Sequence, residues 1–467
     1  MKSVTDKDKK KIVLVLPRGE AIRNFVYSGT ATLLQKSAHV TIISIIPNNE
    51  IELLLKENCD DFYDLKEVSI TYMVWFLWEW IDIVHGKWLW SGVAKWRWKI
   101  RDSEADSFSK KIKRALKKIS TYPFINRPAI EFLTNLEGYL AGILLRDKYY
   151  TDLLNKIQPD LVFNGSHIHS LNSRPVIHAA KSLGIKTAAF LFSWDNLTSQ
   201  GRILPNYDFY LVWNEQIKQD LLRIYKKIKP LDVFVTGTPQ FDFHFEKNIF
   251  LSREQFADIL GVDPSRPIIL YTTGMQSLMP FEEIIVERLA DICLKIDSKP
   301  QLVVRVYPKD QSGRFDALKE SRNDVIFPKS QWVTNHLTPT LKDQEFYSNL
   351  LYHCNVGINV ASTVSLELCI FDKPVINIGY NPPGVDISPR DYSVYYNWDH
   401  YKPLTDSGAI DIVLEESKLM NVIVNNLTST GQKSLKRKKL IMDFFGPFLD
   451  GKSHIRIAEK LLELANK

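Results

Sequence analysis

The sequence predicts an α/β protein made of two doubly wound parallel-sheet domains in tandem. Short runs of Val, Ile and Leu recur along the chain and alternate with amphipathic helical stretches, the pattern of strands buried on both faces. The chain has 467 residues, enough for two domains of roughly 200 residues with separate cores. Polar clusters close the apolar runs, at the edge where open α/β sheets bind their ligands.

Composition narrows the function classes. With 45% hydrophobic and 24% charged residues the chain is an ordinary globular one, apart from an excess of aromatics (12%, including 11 Trp). A net charge of +6 suits an anionic ligand or an anionic membrane surface and is too weak to argue for nucleic acid. Four scattered cysteines (Cys59, Cys293, Cys354, Cys369) show no metal-ligand spacing and fit a reducing compartment. The opening MKSVTDKDKKK leads straight into a strand without a signal-peptide apolar core. The most apolar window, 72–84, is too short to span a bilayer and carries Glu79 and Asp82. The expectation is a cytoplasmic protein, peripheral to the inner face of the cell membrane.

The first domain is predicted over 1–245. KIVLVL (11–16) reads as a buried parallel strand ending at Pro17-Arg18-Gly19-Glu20, with a helix over 21–36 and a second strand over 39–46. An insertion follows at about 72–119. Seven tryptophans (Trp75, Trp78, Trp80, Trp88, Trp90, Trp96, Trp98) lie there among Lys87, Lys95, Arg97, Lys99 and Arg101. Behind them KKIKRALKKI (110–119) forms a basic amphipathic helix. Trp beside Lys and Arg is the chemistry of a membrane interface, which predicts an aromatic–basic surface facing anionic lipid. A long helix is expected over 129–156. Strands then follow at 160–165, ending in Ser166-His167-Ile168-His169, and at 187–192, ending in Ser193-Trp194-Asp195-Asn196. Two more, at 207–213 and 232–236, complete the set.

The second domain is predicted over 246–467. A helical, polar segment (245–266) precedes a strand at 267–271, a helix at 281–296, a strand at 301–306 ending in Tyr307-Pro308-Lys309-Asp310, and a strand near 325–327. The rest of the chain is organised around GINVASTVSLELCIFDKPVINIGY (357–380), which reads as strand, tight turn, short helix and strand. Its helix N-terminus, with the hydroxyls of Ser362, Thr363 and Ser365, suits a diphosphate, and Glu367 one turn on suits ribose hydroxyls. From about 410 the chain is expected to be helical, its last helices packing back on the first domain.

Three stretches carry a resemblance. VTGTPQFD (235–242) looks like an interdomain segment. RVYPKD (305–310) looks like an HP-type motif with Tyr307 in place of His. VASTVSLE (360–367) looks like a Ser/Thr phosphate motif followed by an acidic residue. In this order they resemble the GT-B glycosyltransferases, nearest the bacterial surface-polysaccharide branch related to glycerophosphate transferases. The resemblance implies two Rossmann-like domains facing across a cleft, an acceptor on the first and a nucleotide-sugar donor on the second. It also implies that neither metal nor other cofactor is required. Arg305 and Lys309 are then the groups expected to neutralise the leaving diphosphate. Other readings on this fold are a CDP-polyol-dependent polyol-phosphate transferase and a nucleotide-sugar 2-epimerase. A glycan-binding protein without activity has less need of two such domains.

An inverting transfer needs a base on the first domain. Three strand ends offer one: Glu20, His167 (with His169 beside it) and Asp195, ranked in that order because Glu20 follows the first strand. Arg18 and Arg23 are the competing ion-pair partners of Glu20.

Overall fold

Seven parallel strands form the first sheet: β1 (Lys10–Leu16), β2 (Ala38–Ser44), β3 (Asp61–Asp64), β4 (Leu161–Asn164), β5 (Lys186–Phe190), β6 (Phe209–Val212) and β7 (Val233–Val235), in the order β3-β2-β1-β4-β5-β6-β7. The structure, a computed structural model, describes residues 9–145, 148–168 and 171–467. The chain divides into two units. The first takes in the residues up to Asp242 together with 333–339 and 447–467, and the second takes in 243–332 and 340–446. β1 lies in the middle of its sheet, and Ile12 to Leu16 are all fully buried, as a continuous aliphatic run requires when helices cover both faces. Its register pairs Val13 with Thr41 on one side and Val162 on the other.

The second unit carries β8 (Ile268–Thr272), β9 (Gln301–Arg305), β10 (Val325–Ile326), β13 (Val356–Asn359), β14 (Val375–Ile378) and β15 (Asp411–Val413), in the order β10-β9-β8-β13-β14-β15. All neighbours in this sheet are parallel. Two short strands, β11 (Trp332–Val333) and β12 (Thr338–Pro339), pair separately.

Several elements differ from the sequence reading. The helix expected over 21–36 is broken into Gly19–Ile22, a π-turn at Arg23–Tyr27 and Thr30–Gln35, with Gly29 at φ 88° before the last piece. The helix expected over 129–156 is two, Arg127–Leu144 and Lys148–Ile157. Within 245–266 the α-helix covers only Arg253–Leu260, set by a Ser252/Gln255 capping box. The tail expected to be helical from 410 begins with the edge strand β15, after which helices Leu419–Thr428, Ser434–Phe445 and Ser453–Asn466 follow. The third of these groups with the first unit, the other two with the second.

The insertion is three helices, Tyr72–Leu89, Gly92–Ser103 and Phe108–Thr121, the last two capped by Ser91 and Ser107. Val74, Trp78, Ile81 and Val84 pack against Ile130, Leu133 and Ala141, with Trp80 and Trp88 at the edge of that cluster. Trp90 and Trp98 lie under cations of the same unit: Lys87 stands 3.3 Å from the Trp90 ring centre and Arg114 4.3 Å from that of Trp98. Much of the tryptophan–cation interleaving therefore closes on the protein itself, while Trp75 remains exposed. No helix of the described residues is long and apolar enough to cross a membrane.

Candidate functional site

The order of strands reverses once in each sheet, all of them remaining parallel. In the first unit the reversal lies between β1 and β4, and in the second between β8 and β13. Ligands of open α/β sheets bind at the carboxyl ends of strands beside such a reversal. The segments there are 17–18 after β1 with the helical turn Gly19–Ile22 that follows, 165–168 after β4, 273–281 after β8 and 360–363 after β13, so Glu20, His167, Ser362 and Thr363 all stand at the two switch points.

In the second unit the turn after β13 is built on Asn359. Its Oδ1 accepts from the Ser362 amide (3.2 Å), the Ser365 hydroxyl (3.1 Å) and the Asn377 side-chain amide (3.0 Å). The Tyr401 hydroxyl donates to Asn377 Oδ1 (2.8 Å) and lies 2.9 Å from Ser365 Oγ. Ser365, Asn359 and Asn377 are completely buried, so Ser365 holds the turn from within and does not face a ligand. Ala361 sits at φ 32°, a strained left-handed conformation held by this network. The first-turn amides also find partners inside the turn: Val364 N–H on Ser362 Oγ (3.3 Å), Ser365 N–H on the Ser362 carbonyl (3.1 Å) and Leu366 N–H on that of Thr363 (2.9 Å). The seven-residue helix Val364–Ile370 thus offers hydroxyls more than open amides, and Ser362 and Thr363 are the half-buried groups at its head. Glu367 is buried and accepts a hydrogen bond from the Tyr347 hydroxyl.

Arg305 is placed differently from the leaving-group role expected of it. Its guanidinium is buried and ion-paired to Asp343 at 2.6 Å, a carboxylate that also accepts from the Gln331 amide and the Trp332 indole, both at 2.8 Å. Lys309 lies half-buried in the loop after β9, 6.0 Å from the Trp332 ring centre. The same loop is tied to the one after β8 by Tyr307 N–H on Thr273 Oγ1 (2.9 Å). Beneath them Arg314 bridges Asp310 (2.8 Å), Glu282 (2.9 Å) and the Gly274 carbonyl (2.8 Å). Burial pushes the Glu282 carboxyl up to about 7, against the pull of Arg314 and the Gly274 amide. A cavity of about 360 Å³ opens between the loops after β8 and β14, lined by Ser277, Phe281, Asp386, Ile387 and Arg390.

In the first unit Glu20 is held by both arms of Arg18, Nε to Oε2 at 3.1 Å and Nη2 to Oε1 at 2.9 Å. Arg18 also lies over the Phe192 ring, 4.9 Å from its centre. His167 is buried, with Nδ1 3.0 Å from the Phe190 carbonyl at the end of β5. A carbonyl only accepts, so Nδ1 is the donor in that bond. His169 lies outside the described residues. Asp195 starts a helical turn, its Oδ2 bound by the Ser199 hydroxyl at 2.5 Å. A cavity of about 580 Å³ adjoins these loops, lined by Trp75, Trp78, Arg97, Arg101, Ile168 and Arg202. Among the described residues no group of three or more His, Cys, Asp or Glu side chains is placed to hold a metal ion.

Sequence reasoning missed Tyr347, Arg314 and Arg390. Their partners Glu367, Glu282 and the Ser277 carbonyl lie 20, 32 and 113 residues away in sequence, so no local pattern marks them.

No protein-family model matches the chain, and no curated protein does. Solved structures share its fold. The UDP-GlcNAc 2-epimerase of Neisseria meningitidis bound to UDP-GlcNAc is 14% identical, with 97% of this chain and 100% of that one covered at a TM-score of 0.54. The UDP-GlcNAc 2-epimerase of Methanocaldococcus jannaschii is 15% identical, covering 96% and 99% at 0.52. A glycosyltransferase from Rickettsia africae is 13% identical, covering 98% and 99% at 0.50. The likeness runs the length of each chain and is one of fold: two parallel-sheet α/β domains of the GT-B type.

Proposed function

We propose that this chain is a GT-B glycosyltransferase that moves a sugar from a nucleotide-sugar donor to a growing surface polysaccharide, such as capsule or lipopolysaccharide, or to a lipid-linked glycan. The observation that carries the reading is the meeting of Glu20 and His167 at one switch point and of Ser362 and Thr363 at the other. The donor diphosphate lies against the Ser362 and Thr363 hydroxyls with Lys309 as its counter-charge, and Glu367, oriented by Tyr347, takes the ribose. Arg305 and Ser365 are positioning residues that fix these loops. The acceptor hydroxyl attacks the anomeric carbon as the bond to the diphosphate breaks, and the nucleoside diphosphate leaves. His167, in the loop after β4 beside β1, is the group to which we assign receipt of the acceptor proton. Glu20 is gripped by both arms of Arg18, so we rank it behind His167. We place the reaction in the cytoplasm at the inner face of the cell membrane, without a metal, so that turnover persists in EDTA.

A second reading, nucleotide-sugar 2-epimerase, is favoured by the UDP-GlcNAc 2-epimerases of like fold. The three-helix insertion and the cavity it lines give the transferase reading the advantage, since an epimerase has no acceptor to hold. The test is product analysis with a panel of nucleotide sugars and CDP-glycerol, with and without glycan acceptors. A glycosidic product that depends on acceptor is expected. Isomerised nucleotide sugar without acceptor would make the protein an epimerase, and transfer from CDP-glycerol a polyol-phosphate transferase.

A further inference from the structure

The helix Phe108–Thr121 is docked with its faces reversed. A surface helix normally buries its apolar stripe and exposes its charges. Here Phe108 is 81% exposed, Ile112 45%, Leu116 61% and Ile119 70%, with Tyr122 just beyond at 76%, whereas Arg114 is only 9% exposed. At about 100° per residue these apolar side chains share one face. The opposite face is fixed to the unit by ion pairs: Arg114 with Asp102 (2.8 Å), Lys118 with Asp102 (2.8 Å) and Lys117 with Glu79 (2.5 Å). Lys111 and Lys113 fall at the two borders of the stripe, exposed and without an ion pair among the described residues. The neighbouring helix Tyr72–Leu89 adds its own exposed start, with Tyr72, Met73, Trp75 and Phe76 between 45% and 77% exposed. An apolar groove of about 350 Å³ joins the two helices, walled by Phe76, Trp80, Ile83, Leu116 and Ile119.

We propose that this face is a membrane anchor that lies in the interface of an anionic lipid bilayer. Phe108, Ile112, Leu116 and Ile119 enter the acyl boundary, and Lys111 and Lys113 meet the headgroup phosphates. The ion pairs make the reversal deliberate, because they stabilise the one docking that turns apolar side chains outward. A bilayer fits better than a protein groove because cations border the stripe on both sides. The anchor rests on the membrane location given above, and not on which group is transferred.

Co-sedimentation of the full chain with vesicles of phosphatidylcholine mixed with phosphatidylglycerol, and with vesicles of phosphatidylcholine alone, tests it. Binding to the anionic vesicles is expected, weakening as salt rises. Ile112→Ser/Leu116→Ser/Ile119→Ser should weaken it at least tenfold while the thermal melt is unchanged, since those side chains are already exposed. Lys111→Gln and Lys113→Gln should each weaken it by about fivefold. Absence of binding to either vesicle, or equal binding by the triple variant, overturns the anchor. So does a dimer in solution that the triple variant dissolves, which would assign the face to a second copy of the chain. Vesicle binding without transferase turnover keeps the anchor and removes the transferase reading; turnover without vesicle binding does the reverse.

Discussion

Asp343 holds Arg305 at 2.6 Å with both side chains almost wholly buried, and the same carboxylate fastens the Gln331 amide and the Trp332 indole. The pair joins the end of β9 to the segment leading into β11, so it supports the loop carrying Lys309. Asp343→Asn or Arg305→Leu should each cost about 3–5 kcal/mol, because one buried charge is left uncompensated. The double variant should cost less than the sum of the two. Urea unfolding of the three variants measures this, and a double-variant cost equal to the sum of the two single ones would contradict it.

The turn after β13 separates ligand groups from scaffold groups. Thr363→Ala should raise donor KM roughly tenfold or more, the loss of about 1.5–3 kcal/mol for a hydrogen bond to a charged group. Glu367→Ala should act in the same direction. Ser365→Ala and Tyr401→Phe should instead lower stability by about 1–3 kcal/mol, through Asn359 and Asn377 left short of partners, with donor affinity in the folded protein unchanged. Nucleotide titration alongside thermal unfolding checks the division.

For the base, His167→Ala should lower kcat at least about 10²-fold with donor binding intact. Glu20→Gln should affect stability more than turnover, through Arg18, and Asp195→Asn should leave both near normal. A kcat loss confined to Glu20→Gln would restore the order expected from strand position.

Two buried histidines set an acid limit. Burial, reinforced by Arg202, lowers the His85 imidazole to about 3, and burial with Arg174 lowers His178 to about 4. Both are neutral in the folded state, while the unfolded chain takes up a proton below about 6.5. The unfolded state therefore binds more protons between about 6.5 and those lowered values, and stability falls as pH drops through that window. At pH 5 each costs about 2 kcal/mol relative to pH 7. Denaturant midpoints of the parent and of His85→Phe across pH 7 to 5 check it, the variant showing the flatter profile.

Gly19 presses against the backbone of Thr338, where a Cβ would come within 2.5 Å of its Cα. Gly19→Ala should cost about 1–3 kcal/mol by overpacking and loosen segment 333–339. Faster protease cleavage within that segment is the expected readout.

The sequence by itself determined the alternation of strands and helices, because strands buried on both faces must be apolar throughout. β14 is legible from Val375-Ile376-Asn377-Ile378 and Pro374 alone, and β1 from its aliphatic run. β3, reading DFYD, and β15, reading DIV, were not legible, since an edge strand takes its conformation from the partner it bonds. The break at Gly29 was equally hidden, because its left-handed φ follows from how the flanking pieces pack. At the candidate site the residue types at the strand ends were readable, but their roles were not. Whether Arg305 meets a phosphate or Asp343 depends on a carboxylate 38 residues away, and whether Ser365 faces a ligand depends on Tyr401. The 108–121 helix shows the same limit: its amphipathic period is in the sequence, and Asp102 and Glu79 decide in three dimensions which face the ion pairs draw inward.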